Sequence, residues 1–535
     1  MQEYKKGNDM NGFVYDIPTR IYFGQDQLCH LGDELKKYGK KVLVAYGGGS
    51  IKKSGLYDKV MAQISAAGLY AAELSGIEPN PKIDSVRRGA ELCKQENIDM
   101  VLAVGGGSTI DAAKFIAAGA CADIDPWEFI KNRAPIERAL PVITVLTIAA
   151  TGSEMDNCGV ISNPETNDKI GRGDYKLVPK ASFLDPTVTY SVSAYQTACG
   201  AADIISHICE VYFNTEKDLY MLDGFMEVLF KTVIKYAPIA IVKPDDYEAR
   251  ANLMWASSWA INGFLDGGRT LAWSCHPMEH QLSAYYDITH GLGLAILTPR
   301  WMRHCLNDAT APRLARFART VFSVDNALDD AEAANAGIER LSEFLFTTLG
   351  LKSTLSAIGI DQTHFDAMAE KAMELIGDNL RRFVANRQDE EAACAMMLGS
   401  NFAGISFAWA RLGNVHAMSH PVSAYFNVPH GVANSILLPN VVEYNALADH
   451  GRYEVIYNYI REGNGPIENF TPDMLVEELR HLNEQLGIPA TLSEVGVTAD
   501  KIPAMAEDAM KSGNIPANPR QSTVKDIIKL YEKTM

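Results

Sequence analysis

Asp99-Met100-Val101-Leu102-Ala103-Val104 runs straight into Gly105-Gly106-Gly107-Ser108, and Thr109-Ile110-Asp111-Ala112-Ala113-Lys114 follows. An unbroken apolar run of this length predicts a strand buried on both faces, as in parallel sheets. The glycines end the strand, and the stretch after them predicts a helix. The same grammar recurs on either side. Lys41-Val42-Leu43-Val44-Ala45-Tyr46 stops at Gly47-Gly48-Gly49-Ser50 before a helical stretch. Pro141-Val142-Ile143-Thr144-Val145-Leu146 leads into the hydroxyl-rich segment Thr147-Ile148-Ala149-Ala150-Thr151-Gly152-Ser153-Glu154. Residues 68–74 add another strand, and Phe13-Val14-Tyr15 with Arg20-Ile21-Tyr22-Phe23-Gly24 predict an opening strand pair. Alternation of this kind over residues 13–190 predicts an open parallel sheet.

Ligands of such sheets lie at the carboxyl ends of the strands. Glycines there let backbone N–H groups approach a pyrophosphate, and the next helix N-terminus favours its charge. Two Gly-Gly-Gly-Ser loops and a hydroxyl-rich third therefore predict a dinucleotide site, although the G-x-G-x-x-G fingerprint is absent. Selectivity for NAD usually requires a carboxylate for the ribose 2′-hydroxyl. The first loop offers Gly48, Gly49 and Ser50, with Lys52 and Lys53 beyond and no acid. NADPH is thus expected in preference to NADH.

From about residue 191 the pattern turns helical. Residues 203–212, 220–239 and 249–264 carry apolar side chains at three-to-four spacing. Phe225, Met226 and Trp255 read as core; the acidic stretch Asp329-Asp330-Ala331-Glu332 reads as a solvated face. Asp203 and His207 are four apart and share one face of their helix. Downstream, Cys275-His276-Pro277-Met278-Glu279-His280 continues to Ile288-Thr289-His290-Gly291. Three of the 12 histidines thus fall within 15 positions. Asp203 and His207 from one side, with His276 and His290 from another, make a set of one carboxylate and three imidazoles. That set suits Fe²⁺ or Zn²⁺ and suits Ca²⁺ or Mg²⁺ poorly.

The run then repeats. Val415-His416-Ala417-Met418-Ser419-His420 continues to Val428-Pro429-His430-Gly431, with the same 14 positions between first and last histidine. The repeat extends outward: residues 254–264 resemble 397–407, and apolar runs 294–299 and 433–439 follow each His-Gly. The second copy has no glycine loop and no Asp-x3-His upstream of it. Its His416, His420 and His430 read as structural or vestigial, against the competing reading that the rear segment supplies His416 and His430 to Asp203 and His207.

The totals fit this division. A chain of 535 residues exceeds one domain; 47% apolar and 21% charged residues describe an ordinary globular protein. A net charge of −17 argues against a nucleic-acid or membrane-surface partner. Nine cysteines without a C-x2-C pair read as reduced thiols, hence a cytoplasmic setting. The opening residues lack the apolar segment of a signal peptide, and no apolar run reaches membrane-spanning length.

Residues 45–53, 105–108, 147–154, Leu184-Asp185-Pro186 and the histidine run resemble the iron-containing (group III) alcohol dehydrogenase family. Over residues 13–370 the likeness is to its NADPH-dependent butanol dehydrogenase branch. From 373 to 535, on Asn379-Leu380-Arg381-Arg382, residues 416–430 and the ending from Asn518-Pro519-Arg520 to Tyr531, the likeness is to the rear of the lactaldehyde reductase and 1,3-propanediol dehydrogenase branch. The chain looks like one nearly complete enzyme joined to the rear of a cousin.

The resemblance implies an α/β Rossmann-like N-terminal domain (1–190), an all-helical metal-binding domain (191–372), and a second, partial all-helical copy (373–535). It implies metal ligands Asp203, His207, His276 and His290, and a catalytic, non-ligating His280 near the substrate. Gly47, Gly48, Ser50, Gly105, Gly106, Gly107, Ser108, Thr147, Thr151 and Lys169 would hold the cofactor. The implied reaction is reversible reduction of small aldehydes to primary alcohols by a homodimer or larger homo-oligomer. Two other readings stand beside it: an inactive metal-containing scaffold or partner-binding fusion, and a glycerol-dehydrogenase-like polyol oxidoreductase.

Overall fold

The computed structural model of the chain describes residues 12–535 except 215–218, 270, 272, 362, 411, 464, 466 and 468; at 390, 401, 405 and 407–410 it describes the backbone alone. Residues 1–11, where no signal peptide is expected, lie outside the described residues. The chain forms two compact units, Met1–Ile360 and Asp361–Met535.

The front unit opens with strand β1 (Arg20–Phe23) and helix α1 (Leu31–Leu35). Strand β2 (Lys41–Tyr46) leads to α2 (Ser50–Lys53) and α3 (Leu56–Ala66), and β3 (Tyr70–Leu74) to α4 (Ile83–Glu96). Strand β4 (Met100–Gly105) leads to α5 (Gly107–Gly119) and α6 (Pro126–Lys131). Strand β5 (Val142–Leu146), the antiparallel hairpin β6 (Cys158–Asn163) and β7 (Asp168–Gly173), and β8 (Ala181–Leu184) complete the α/β part. The six sheet strands run in the order β1-β8-β5-β4-β2-β3, every pairing parallel. β2, β4 and β5 are adjacent and buried on both faces, which is why they read as continuous apolar runs.

The predicted opening strand pair is not formed. β1 pairs with β8, and residues 13–15 are not a strand. Tyr15 instead packs edge-on against Phe264, with ring centroids 5.7 Å apart. A short apolar triplet fits a strand pattern equally well when its partner is an aromatic side chain.

The helical part of the front unit comprises α7 (Ala194–Tyr212), α8 (Tyr220–Val242), α9 (Tyr247–Trp259), α10 (Cys275–Tyr286), α11 (His290–Cys305), α12 (Ala311–Phe322) and α13 (Asp330–Glu343). Its core includes Ile204, Ile208, Phe230, Val233, Met302 and Phe317. Met226 lies in that core as expected, but Phe225 and Trp255 are 36% and 39% exposed. Both belong to a cluster of edge-on rings with Phe23, Trp259 and Phe264. The acidic stretch does more than face water: Asp329 and Glu332 form a reciprocal capping box at the start of α13.

The rear unit is helical: α14 (Phe365–Ala385), α15 (Glu390–Ala410), α16 (Asn414–Phe426), α17 (His430–Asn445), α18 (Arg452–Ile460), α19 (Pro472–Gln485), α20 (Ile502–Met510) and α21 (Val524–Thr534). Its own core gathers Met418, Val422, Leu437, Met505, Ile527 and Tyr531. The seam expected between 372 and 373 falls inside α14. The two sequence repeats also differ locally, since α9 ends at Trp259 whereas its counterpart α15 continues to Ala410. No described helix is long and apolar enough to cross a membrane.

Candidate active site

The three predicted loops stand at the carboxyl ends of the neighbouring strands β2, β4 and β5, so the sheet brings Gly47, Gly48 and Ser50, Gly105 to Ser108, and Thr147 with Thr151 to one edge. In the second loop the glycines serve close packing. A Cβ on Gly107 would collide with the Thr151 side chain, and one on Gly106 with Ile148. Gly49, at φ +99°, takes the left-handed conformation that begins α2. The third loop also touches the helical part: Gly200 of α7 lies against the Ala149 carbonyl with no room for a side chain.

One turn beyond Gly200, α7 presents Asp203 and His207. Asp203 Oδ1 lies 3.7 Å from His207 Nε2, 3.8 Å from His276 Nε2 and 3.7 Å from His290 Nε2. Tetrahedral donors bound at about 2.0–2.2 Å from a metal are about 3.3–3.6 Å apart, close to the three Asp203 distances; Asp203, His276 and His290 form the mutually close group, with His207 outside it. Asp203 Oδ1 and His276 Nε2 are buried and have no hydrogen-bond partner among the described residues. Orphaned atoms of a carboxylate and an imidazole facing each other fit a bound cation. Burial opposes the Asp203 charge, yet the three imidazoles hold its carboxyl well below the usual range. Burial pushes His207 down to about 3, which keeps its ring neutral as a ligand must be. The donor set and its geometry fit a divalent iron or zinc.

Two carboxylates that the sequence reading did not single out orient the ligands. Glu210, two turns beyond Asp203 on α7, accepts from the backbone N–H groups of Ser274 and His276, each at 2.8 Å, and stands 3.1 Å from His276 Nδ1. Glu279 pairs with His290 Nδ1 and accepts from Ser283 Oγ and, at 3.1 Å, from Lys169 Nζ. A carboxylate on Nδ1 fixes the tautomer that leaves Nε2 for the metal. Glu279, His280 and His290 also lie close enough to suggest a second metal set. That set is the weaker one, because Glu279 is already engaged by Lys169 and Ser283 while Asp203 Oδ1 has no partner. The sequence signal for Glu279 was its place inside the histidine run; Glu210 gave only its i, i+3 relation to His207.

Lys169, expected on the cofactor, stands on β7 beside the metal ligands: buried, 2.9 Å from Asn80 Oδ1 and 3.4 Å from His290 Nδ1. His280 lies with its ring centroid 5.6 Å from that of His290, and burial first, then Lys169 and His290, push its pKa well down, so the ring stays neutral.

Comparison with known proteins identifies the family. The sequence profile described as iron-containing alcohol dehydrogenase matches residues 18–186, and that of the C-terminal part of the Fe-containing alcohol dehydrogenase family matches twice, at 197–373 and 363–535. The chain belongs to the iron-containing alcohol dehydrogenase family. It is 49% identical to NADH-dependent butanol dehydrogenase A of Clostridium acetobutylicum over 371 residues, 69% of this chain and 95% of that protein. It is 35% identical to the NADPH-dependent aldehyde reductase YqhD of Escherichia coli, covering 69% and 96%. The crystal structure of NADH-dependent butanol dehydrogenase A from Thermotoga maritima matches with TM-score 0.64 and 38% identity, covering 73% of this chain and 99% of that one. The chain is thus an oxidoreductase of the iron-containing alcohol dehydrogenase family with the family's C-terminal region present twice.

The rear copy keeps the arrangement of rings without its surroundings. His416 and His430 have centroids 5.2 Å apart at 60°, against 5.3 Å and 62° for His276 and His290. Where the front unit has Asp203, the amide Nδ2 of Asn434 donates to His416 Nε2 at 3.3 Å and to His430 Nε2 at 3.1 Å. Position 434 corresponds to Leu294, and Ser419 stands where Glu279 would be, 3.4 Å from His430 Nδ1. Among the described residues no set of three His, Cys, Asp or Glu donors converges there.

Proposed function

We propose that the front unit reduces short-chain aldehydes to primary alcohols, reversibly, with NADPH in preference to NADH, at Fe²⁺ or Zn²⁺ held by Asp203, His207, His276 and His290. The observation that carries this reading is the orphaned Asp203 oxygen facing three imidazole Nε2 atoms at 3.7–3.8 Å. The contact of Gly200 with Ala149 supports it by seating the metal helix on a predicted nucleotide loop. The relatives named as butanol dehydrogenases and aldehyde reductase support the substrate class.

Once bound, the metal supplies a Lewis acid for the carbonyl oxygen and the dinucleotide supplies the hydride. The chain does the rest. Glycine-loop N–H groups and the α5 N-terminus bind the pyrophosphate. Glu210 and Glu279 aim His276 and His290, and Lys169 balances the buried charge of Glu279. His280, kept neutral, accepts a proton at one ring nitrogen while donating from the other, and so relays a proton to the product oxygen.

NADPH preference rests on the first loop. Glu73 on β3 is engaged by the hydroxyls of Tyr46 and Tyr57, from which it accepts at 2.8 Å each, and Lys52 lies over both rings. The relatives include NADH- and NADPH-dependent enzymes, so the ratio of kcat/KM for the two cofactors is the measurement. A homodimer or larger homo-oligomer is supported by the exposed rings of Phe23, Phe225 and Trp255. A cytoplasmic setting is supported by nine cysteines with no disulfide.

The test is NADPH oxidation with butanal, comparing the parent with His276→Ala and His416→Ala. His276→Ala is expected to lose about a hundredfold or more in kcat/KM, and His416→Ala to match the parent. A parent inactive with either metal supplied would end the enzyme reading; loss in His416→Ala alone would transfer the site to the rear unit.

A further inference from the structure

Residues 75–82, which join β3 to α4, form a strap from the first glycine loop to the metal ligands. At its start, Gly76 N–H donates to the Gly47 carbonyl and Ile77 N–H to the Tyr46 carbonyl, each at 3.2 Å. Toward its end, Ser162 N–H of β6 donates to the Pro81 carbonyl at 2.8 Å. Just before Pro81, Asn80 takes a left-handed backbone, φ +47°, and turns its amide toward the corner between α10 and α11. Asn80 Nδ2 donates to Asp287 Oδ1 at 2.9 Å and to the Ile288 carbonyl at 3.1 Å. Its Oδ1 accepts from Lys169 Nζ, which also donates to Glu279, the partner of His290. Lys82 adds a second tie to Asp287 Oδ1 at 2.9 Å.

The corner held in this way fixes His290. Asp287, at φ +48°, caps α10, and His290 begins α11 three residues later. The rear repeat shows the same corner without a strap. There Asn427, at φ +54°, takes the place of Asp287, and Ser419 that of Glu279.

We propose that Asn80 is a positioning residue that couples the first glycine loop to His290, so that nucleotide binding tightens the hold on the metal. The inference rests on the nucleotide and metal reading above. By linkage the effect is reciprocal: metal occupancy tightens nucleotide binding by the same factor.

The experiment follows loss of Zn²⁺ from the Zn²⁺-loaded full chain to excess EDTA, with and without saturating NADP⁺. In the parent, NADP⁺ is expected to slow loss about tenfold, a typical coupling. In Asn80→Ala, loss without nucleotide is faster and the protection by NADP⁺ falls to less than about twofold. Asp287→Ala removes the Asn80 amide's carboxylate acceptor from the metal side, together with the Lys82 tie, away from the nucleotide loop. It is expected to lower the protection by NADP⁺ in the same direction, with the double variant less than additive. A purely structural role would speed loss equally with and without NADP⁺. Equal protection in the parent and both variants, or no protection in a parent shown by fluorescence to bind NADP⁺, overturns the coupling. A parent that binds neither NADP⁺ nor NAD⁺ overturns the functional reading itself, and the coupling with it.

Discussion

The metal centre is a matter of single atoms. Asp203 Oδ1 serves three imidazoles at once, and each of His276 and His290 leans on its own carboxylate. Glu210→Gln keeps an acceptor oxygen for only one of the N–H groups of Ser274 and His276 and loses the charge that aims the ring. Metal affinity is expected to fall about 10- to 100-fold, read by competition with a chromogenic chelator. At the nucleotide loop, Gly48 has open space where a Cβ would stand. Gly48→Asp therefore fits, and it puts a carboxylate where a 2′-phosphate is expected. The kcat/KM ratio is expected to shift toward NADH by about tenfold or more. That Asp203, His207, His276 and His290 lie near one another was legible in the sequence, because histidine is scarce and the spacing of His276 and His290 recurs at His416 and His430. The place of Glu210 and Glu279 beside them was not, because a carboxylate's service to a ring depends on which helices cross, and crossing leaves no mark on a linear pattern.

Helices and loops carry the next layer. Gly291, directly after the ligand His290, admits no side chain, because its Cβ would collide with the Cys199 carbonyl of α7. Gly431, at the same place in the rear repeat, has open space. Gly291→Ala is expected to part α11 from α7, costing roughly 2 kcal/mol or more and most of the bound metal, while Gly431→Ala changes neither. Thermal unfolding and metal content check both. The loop after β5 carries a pH dependence. Burial lifts Glu154 to about 7, and its partner Ser258 on α9 only partly offsets this. The folded state holds this proton more tightly than the unfolded chain. The stabilisation is thus complete below about pH 4.5 and lost as pH rises toward about 7, by a few kcal/mol at most. In Glu154→Gln that loss is expected to vanish from denaturation curves between those pH values. At this scale β2, β4, β5 and their loops were readable, since strands buried on both faces need unbroken apolar runs. Residues 13–15 misled, because exposed aromatic packing produces the same short apolar triplet as an edge strand.

Across the whole molecule, two compact units share one chain. Calorimetry is expected to show two transitions, with EDTA lowering only the one that belongs to the front unit, where the proposed metal site lies. A single transition, or a shift in both, would contradict separate stabilities. The doubling of the C-terminal region was visible in sequence through its histidines and the apolar runs that follow each His-Gly. The unit boundary was not, because α14 runs unbroken through the expected seam and helical periodicity gives no sign of where contacts cease.

The pair of corners also poses a problem in protein design. The backbone of the rear corner already aims two imidazoles within a few degrees of their front counterparts. Ser419→Glu would return the acceptor for His430 Nδ1, and Asn434→Leu would clear the amide from between the rings. Neither change supplies the shared carboxylate. The two runs lie 140 residues apart, and that offset maps Asp203 and His207 onto Glu343 and Thr347, at the end of the front unit's own helices. Grafting a motif therefore transplants the frame, while the affinity resides in a second helix that must be brought along with it.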